Sequence, residues 1–469
     1  MTKIAMIGAG SVVFTQTLVM DLIASGLPGL EVALMAPSTR NTGPLKEYFD
    51  RVKEHNDLDI EVTVTTDRRE ALRGADFVIA TFNIGGLRAT ELDYEIPMRY
   101  GVDQCIGDTL APGGIFRGLR SIPVALELAA DMRELCPNAL LLNYVNPMAI
   151  VAWAFDRGGV EVVGLCHGVQ VSLDLVASYL QIPKAEIDYV SAGINHMAWF
   201  LKLEHRGRDL YPELKEKFER PEYYANEKVR GEVFRHFGYF MTESTGHLSE
   251  YLPYFRKTEA ALAMYCDEPE FGGQSGAHVA WARAIAQHGA AEALLHGAGL
   301  DLQPRSVEYG SYIIEAAVTG RPFEFQGNLR NGGMISNLPE DCLAEGPVVV
   351  DSNGLMRLPV GDLPSACAAL NLTNINAQRL TVEAGMTGDP EAIVHALAVD
   401  PLTSAVLTLA EIRSLATDML EAQRDWLPQF EGKHVTPRPH ISLPAGLVRA
   451  QVPLDPALAV ARRLSQLGG

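Results

Sequence analysis

KIAMIGAGSVVF, residues 3–14, decides the fold. KIAMIG (3–8) reads as a buried strand, and FTQTLVMDLIASG (14–26) has apolar residues at helical spacing. Gly8 and Gly10 fall in the turn between them. Gly8 permits the tight turn. Gly10 lets the backbone approach a pyrophosphate, which then rests on the helix N-terminus beside Ser11 and Val12. The third glycine of a dinucleotide fingerprint is Val13 here, so the motif is incomplete. Its place directly after the first strand carries the reading, because a GxG alone marks many turns.

The pattern continues outward. EVALM (31–35), EVTVTT (61–66), DFVIATF (76–82), ALLLNYV (139–145) and VEVVGL (160–165) read as further strands. Between them lie helical segments at 45–55, 69–75, 122–136 and 148–158, with a Gly- and Pro-rich stretch at 101–115 read as a long loop. Such alternation predicts an α/β fold, a Rossmann-type doubly wound parallel sheet with right-handed crossovers. From about residue 190 the pattern is mixed. Helical stretches at 274–298 and 403–424 are interrupted by extended ones, FEFQGNL and PVVVDSNG. The expected division is a dinucleotide-binding domain over 1–190 and an α+β domain for substrate, metal and oligomer contacts over 191–469.

The end of the second strand points to the cofactor. A chain that binds NAD usually carries a carboxylate there for the adenosine ribose hydroxyls. This chain has Ala36, followed by Ser38, Thr39 and Arg40. Two hydroxyls and a cation can hold a 2′-phosphate, so NADP is expected ahead of NAD. The other reading is a neutral surface loop that tolerates either cofactor.

The 469 residues carry 39 Lys and Arg against 58 Asp and Glu, a formal charge of −19. That surface repels nucleic acid and anionic membranes, so neither is expected as a partner. The six cysteines are scattered, without CxxC or framework spacing, which fits free thiols in a reducing compartment. No apolar run is long enough to span a bilayer, and the chain enters a strand at once with no signal-peptide pattern. A cytoplasmic protein is expected.

Six further segments carry a family resemblance: DTLAPGGIFRGLR (108–120), LLNYVNPMAIVAWA (141–154), GLCHGVQ (164–170), AGINHMAWFL (192–201), GYFMTESTGHLSEYLPYF (238–255) and GNLRNGGMISNLP (327–339). Together they resemble glycoside hydrolase family four, and within it the α-galactosidase branch. The resemblance runs from residue 3 to about 430. The CHGV window resembles branches acting on unphosphorylated α-glycosides. It implies a lactate/malate dehydrogenase-like fold, a nicotinamide cofactor, Mn2+, and a homodimer or homotetramer. It also implies hydrolysis without the usual pair of carboxylates. In that scheme C3 of the sugar is oxidised, C2 is deprotonated, the aglycone is eliminated, water adds, and the hydride returns.

On this resemblance Cys166 and His196 are the metal ligands. Two protein ligands leave open positions for sugar hydroxyls. A Cys/His pair suits zinc on softness, so manganese rests on the family alone. Asp108 and Asn146 match polar substrate contacts, and Tyr251 matches the region that supplies a tyrosine base. His167 stands where phosphosugar branches carry an acid. Asn83 is placed at the nicotinamide ribose, and Arg330 and Asn331 are candidate active-site groups. Each also has a plainer reading: a small buried thiol, a core histidine, turn-forming Asp and Asn, a packed aromatic. Two departures stand out. Ala36 replaces an acidic residue, and Ala111 replaces a glycine that the loop backbone requires if its dihedrals are left-handed. A glucoside or a uronide is the alternative substrate. A net 2-hydroxy-acid dehydrogenase is a second alternative, which the Cys-His window argues against, and a non-catalytic cofactor sensor a third.

Overall fold

The structure, a computed structural model, describes residues 1–288, 295, 297–453 and 455–467. Met1–Thr436 form one compact unit and Pro437–Gly469 another, the latter carrying a helix at Pro456–Leu467. Among the described residues no helix is long and apolar enough to cross a membrane.

The first unit is organised on a single mixed sheet. Six strands, β1 (Thr2–Ile7), β2 (Leu30–Met35), β3 (Ile60–Thr65), β4 (Phe77–Ala80), β5 (Leu140–Asn143) and β6 (Val162–Gly164), pair in parallel in the order 3-2-1-4-5-6. That is the dinucleotide-binding order expected from the opening stretch. Helices cover both faces, so β4 and β5 are buried at every residue, as unbroken apolar runs require. The sheet then continues with antiparallel strands: β7 (Asp188–Ile194), β8 (Met197–His205), β9 (Arg208–Asp209), β10 (Phe323–Arg330), β11 (Leu343–Asp351) and β12 (Gly354–Arg357). Strand β10 joins β6 through Asn328 and Gly164, and β11 joins β7 through Glu345 and Gly193.

The 101–115 stretch departs from its reading as a loop throughout. A helix runs over Ala111–Leu135, and it takes in the last five residues of that stretch. Pro112 is tolerated in its first turn, where its missing N–H has no helical partner to lose. Gly113 and Gly114 serve close packing. A Cβ on Gly113 would lie 2.5 Å from the Gly107 carbonyl oxygen, and one on Gly114 2.3 Å from the Thr109 carbonyl carbon. Ala111 does adopt the left-handed conformation, at φ 56°. A further helix, Gly86–Arg99, precedes the loop and is tied to the 111–135 helix by a buried pair in which Arg120 Nη1 and Nη2 donate to Asp93 at 2.8 and 2.6 Å. The helix expected over 274–298 is found at Ala277–His288; residues 289–294 and 296 lie outside the described residues.

Candidate active site

The parallel strands deliver the expected groups at their C-terminal ends, where α/β sheets bind ligands. Gly8 follows β1, Asn83 follows β4, Asn146 follows β5 and Cys166 follows β6. Gly8 sits at φ 94°, and a Cβ there would collide with the Phe82 backbone at 2.4 Å. Gly10 faces open space, with no heavy atom within 4 Å of where its Cβ would be. Both glycines therefore fit a turn that a pyrophosphate can approach. Ser11 stands at the N-terminus of the helix Val12–Ala24, its side chain making no capping hydrogen bond. Val13, in place of the third glycine, is 64% exposed, so its side chain costs no helix–sheet packing. Ser38 precedes the helix Thr39–Asn56 without a capping hydrogen bond from its side chain, and Ser38, Thr39 and Arg40 are all exposed at the helix start. The sequence reading passed over Asn41, whose amide donates to the Gly10 carbonyl at 2.7 Å and joins the two loops.

A cavity of about 450 Å³ opens beside this turn. Phe14, in the first turn of the nucleotide helix, lines one side with Tyr144 and Met148. Cys166, His167, His196, Glu243, His247 and Glu308 supply its chemistry. Asn146 is also in the wall and donates to Asp108 Oδ2 at 3.0 Å. Cys166 and His196 thus share one cavity.

Local structure explains how each group arrives. His196 occupies a two-residue turn between paired Ile194 and Met197, at φ 60°, a conformation rare outside glycine and among the few that His tolerates. Residues 240–243 run alongside β8: Phe200 N donates to the Phe240 carbonyl at 2.9 Å, and Thr242 N to the Ala198 carbonyl at 3.0 Å. That pairing lays Glu243 beside His196. The short helix Thr245–Tyr251 then presents His247 and Tyr251, four residues apart, on one face. Its Glu250 carboxylate accepts from the backbone N–H groups of Cys105, Ile106 and Gly107, at 2.5, 2.6 and 3.0 Å, and so fixes the segment leading into Asp108.

A charged network results. His196 Nδ1 lies 3.0 Å from the Tyr251 hydroxyl, and His247 Nε2 lies 3.1 Å from Asp108 Oδ1. Glu243 stands between the two rings, 3.7 Å from His196 Nε2 and 3.7 Å from His247 Nδ1. Burial pushes His196 down to about 4, against the pull of Glu243. Burial also opposes charge on His247, but Glu243 and Asp108 outweigh it and hold that imidazole well above its ordinary value. Burial would raise both carboxyls, yet the two imidazoles hold Glu243, and His247 holds Asp108, well below the carboxylate range. Burial and the carboxylates Glu243 and Asp108 drive the Tyr251 phenol well up. Burial, with Glu345 and Glu243 adding to it, does the same to the Cys166 thiol. At the mouth, His167 Nδ1 is 3.0 Å from Glu308, whose hydrogen bond raises the imidazole.

Arg330, Asn331 and Tyr251 do not line the cavity. Arg330 is exposed, its nearest carboxylate being Asp156 at 4.0 Å. Asn331 is fully buried and spends its amide on its own loop, donating to the Ile335, Leu338 and Pro339 carbonyls and accepting from Ile335 N. It staples the loop, as short amide side chains commonly do. Tyr251 lies behind His196, 1% exposed. Conversely, Glu243, His247 and Glu308 were not singled out in the sequence. The only local signal was a carboxylate and an imidazole four apart in TESTGH, ahead of a helix too short to announce itself.

The donor set suits a divalent cation: two imidazoles and a carboxylate lie within 4.8 Å of one another, and the Cys166 thiol lines the same cavity. Comparison with known proteins gives the family. Residues 3–182 match the family 4 glycosyl hydrolases and residues 191–403 the family 4 glycosyl hydrolase C-terminal domain. An α-galactosidase of Rhizobium meliloti (strain 1021) is 41% identical over 438 residues, covering 91% of this chain and 89% of its own. One of Bacillus subtilis (strain 168) is 38% identical over 439 residues, covering 92% and 100%. The 6-phospho-β-glucosidase of Thermotoga maritima, solved with manganese, NAD+ and glucose-6-phosphate, superposes with a TM-score of 0.74 at 21% identity, over 91% of this chain and 99% of that one, a likeness of fold. The chain belongs to the family 4 glycosyl hydrolases.

Proposed function

We propose that this chain is a nicotinamide- and divalent-metal-dependent α-glycosidase acting on unphosphorylated α-galactosides. One observation carries the reading: a single cavity runs from Phe14, at the nucleotide helix, to Cys166 and His196. The two α-galactosidases at 41% and 38% identity favour the galactoside.

When bound, the nicotinamide supplies reversible hydride acceptance at C3 and the cation supplies Lewis acidity toward O2 and O3. The protein's part is to place both and to handle protons. Gly8, Gly10, Ser11 and Val12 present backbone to the pyrophosphate. Ser38, Thr39 and Arg40 take a 2′-phosphate, which favours NADP, and Asn83 meets the nicotinamide ribose. Cys166 and His196 hold the cation, expected to be Mn2+. Asp108 is kept ionised by His247, and with Asn146 it binds and orients sugar hydroxyls. Tyr251, its hydroxyl 3.0 Å from His196 Nδ1 behind the cavity wall, would be the C2 base once a bound cation brings its phenol back down from where burial and the carboxylates hold it. His167, half-exposed at the mouth and steadied by Glu308, stands on the aglycone side. Residues 1–190 would serve the nucleotide and the remainder the metal, the sugar and a homodimeric or homotetrameric contact.

The test is release of p-nitrophenol from its α-galactoside with Mn2+, reductant and either cofactor. Turnover that needs both metal and cofactor, without net NAD(P)H, is expected. Accumulation of NAD(P)H would favour a dehydrogenase, and failure on every unphosphorylated α-glycoside would defeat the proposal.

A further inference from the structure

We infer that Asn195 is a specificity-determining residue whose carboxamide reads the 4-hydroxyl of the glycone. The inference rests on the reading that this cavity holds an α-glycoside, and it deepens that reading by naming what tells the C4 epimers apart.

Burial comes first. Asn195 shares with His196 the two-residue turn between β7 and β8, lines the cavity and is 3% exposed. Its amide nitrogen and its amide oxygen are both enclosed and without a hydrogen-bond partner. No other side-chain amide among the described residues has both atoms in that state. Leaving an enclosed amide unpaired is destabilising, so such a group in a folded protein needs a reason. The same hairpin shows what a structural amide does. Asn371 donates to the Met197 carbonyl at 2.7 Å and accepts from Trp199 Nε1 at 2.8 Å, so it braces β8 with both ends spent. Asn195 spends neither end on the protein.

The chemistry of the unpaired group names its partner. A carboxamide presents donors and an acceptor side by side. A hydroxyl is also both donor and acceptor, so one hydroxyl, or two adjacent ones, satisfies both ends. A carboxylate or phosphate offers acceptors only and would set negative charge against the amide oxygen. Arg230, in the same wall, leaves its Nη1 unpartnered too. Its charge is answered by Glu227 at 3.4 Å, and its Nε donates to the Glu243 carbonyl at 2.6 Å, so this wall does not call for an anion.

Order around the sugar ring singles out one hydroxyl. In the proposed reaction O2 and O3 go to the cation beside His196, and the aglycone at C1 faces His167 at the mouth. The hydroxyl next to O3 and farther from C1 is the one on C4. Asn195 adjoins His196 in the turn, so it stands next to the group that takes O3. C4 is the centre at which a galactoside differs from a glucoside.

The experiment compares p-nitrophenyl α-galactoside with its 4-deoxy analogue, using the full-length protein with Mn2+ and NAD(P)+. The native protein should favour the galactoside in kcat/KM by at least about 100-fold, as a site built to bond a hydroxyl does. N195A should bring that ratio to within about 5-fold, because the reading group is gone. Calorimetry without nicotinamide should show N195A binding methyl α-galactoside more weakly and its 4-deoxy analogue as the native protein does. The ligand-free melting temperature of N195A should equal or exceed the native one, since an unpaired buried amide has been removed, and Mn2+ affinity should hold within about 3-fold. A ratio that N195A leaves unchanged, or a loss that follows lost stability or lost Mn2+ binding, would overturn the inference. The native ratio needs no variant, and a value near one would overturn it alone. The 4-deoxy sugar is the same compound for both epimers. Turnover of the α-glucoside in place of the α-galactoside would therefore defeat the galactoside proposal while the same ratio still judged Asn195.

Discussion

The parallel and antiparallel halves of the one sheet carry chemistry by different means. In the parallel half the nucleotide is met largely by backbone, the turn at Gly8 and Gly10 and the N-termini of two helices, with Asn146 and Cys166 adding side chains at the later strand ends. In the antiparallel half the working groups are side chains drawn from distant segments. His196 comes from a hairpin, Glu243 from a stretch laid along β8, and His247 from a short helix. Backbone sites are encoded within a few residues. The side-chain cluster exists only after β7 and β8 have paired and residues 240–243 have docked beside them. A change in the first half should therefore act locally, on cofactor binding and stability, and a change in the second on catalysis.

The largest effect expected lies in the second half. Tyr251→Phe keeps the ring that packs behind His196 and removes only the hydroxyl. A general acid–base group contributes on the order of 10²–10⁴-fold, so kcat should fall by about 10³-fold. If Mn2+ affinity is retained, the phenol belongs to the proton transfer. A fall in rate that merely follows a fall in Mn2+ binding would reduce Tyr251 to a support for His196.

The seam between the halves should respond to pH. Glu345 is buried on β11 at its junction with β7, and Asn328, on β10 where it joins β6, donates to it at 3.0 Å. Burial pushes its carboxyl up to about 8; Asn328 opposes the shift and Glu243 adds to it. A folded pKa above the unfolded one means that the folded state holds the proton more tightly. The stability it contributes is complete below the unfolded value near 4.5 and is lost as pH rises through about 8. Metal-free protein should lose roughly 4 kcal/mol between pH 5 and 9 from this group, and Glu345→Gln should flatten that slope. Urea midpoints across the range would show it; parallel slopes for both proteins would move the carboxyl out of the seam's energetics.

Gly8→Ala tests the backbone half. The added methyl meets the Phe82 backbone at 2.4 Å, at a φ of 94°. Strain of about 1–2 kcal/mol for the dihedral adds to overpacking of similar size. Melting temperature and NAD(P) affinity should both drop, while Mn2+ binding, set by Cys166 and His196 rather than by this turn, stays put. Arg40→Ala is milder. Loss of one exposed cation should weaken NADP about 10-fold and leave NAD nearly unchanged. Equal loss for both cofactors would show that the loop does not read the 2′-phosphate.

This contrast also sets what could be read in advance. The six parallel strands were legible because a strand buried on both faces is an unbroken apolar run. Cys166, Asp108 and Asn146 were legible as parts of ordered segments that resemble a family, and they meet in or beside one cavity. Glu243 and His247 were not, because nothing within TESTGH records that Phe240 pairs with Phe200. Asn331 erred the other way. A conspicuous amide in GNLRNGG suggests function, yet its four hydrogen bonds all return to its own loop. The 111–115 residues hid a helix start behind Pro and Gly, whose roles there are first-turn tolerance and close packing.

Ala111 offers the finest test of the contrast, because it sits where the loop carrying Asp108 becomes the helix that packs under the parallel half. Its φ of 56° costs an L-residue about 1–2 kcal/mol. Glycine would remove that cost, but it would bring about 0.5–1 kcal/mol of extra unfolded-state entropy. The two terms leave a net gain for Ala111→Gly of up to about 1.5 kcal/mol. The hydrogen bond that the Ala111 backbone N–H donates to the Asp400 carboxylate, 3.1 Å long, survives the change, so the loop keeps its anchor and Asp108 its place. A slightly higher urea midpoint, an unchanged slope and an unchanged kcat are expected. Loss of stability would mean that the Ala111 methyl, fully buried against its neighbours, is worth more in packing than its dihedral costs in strain.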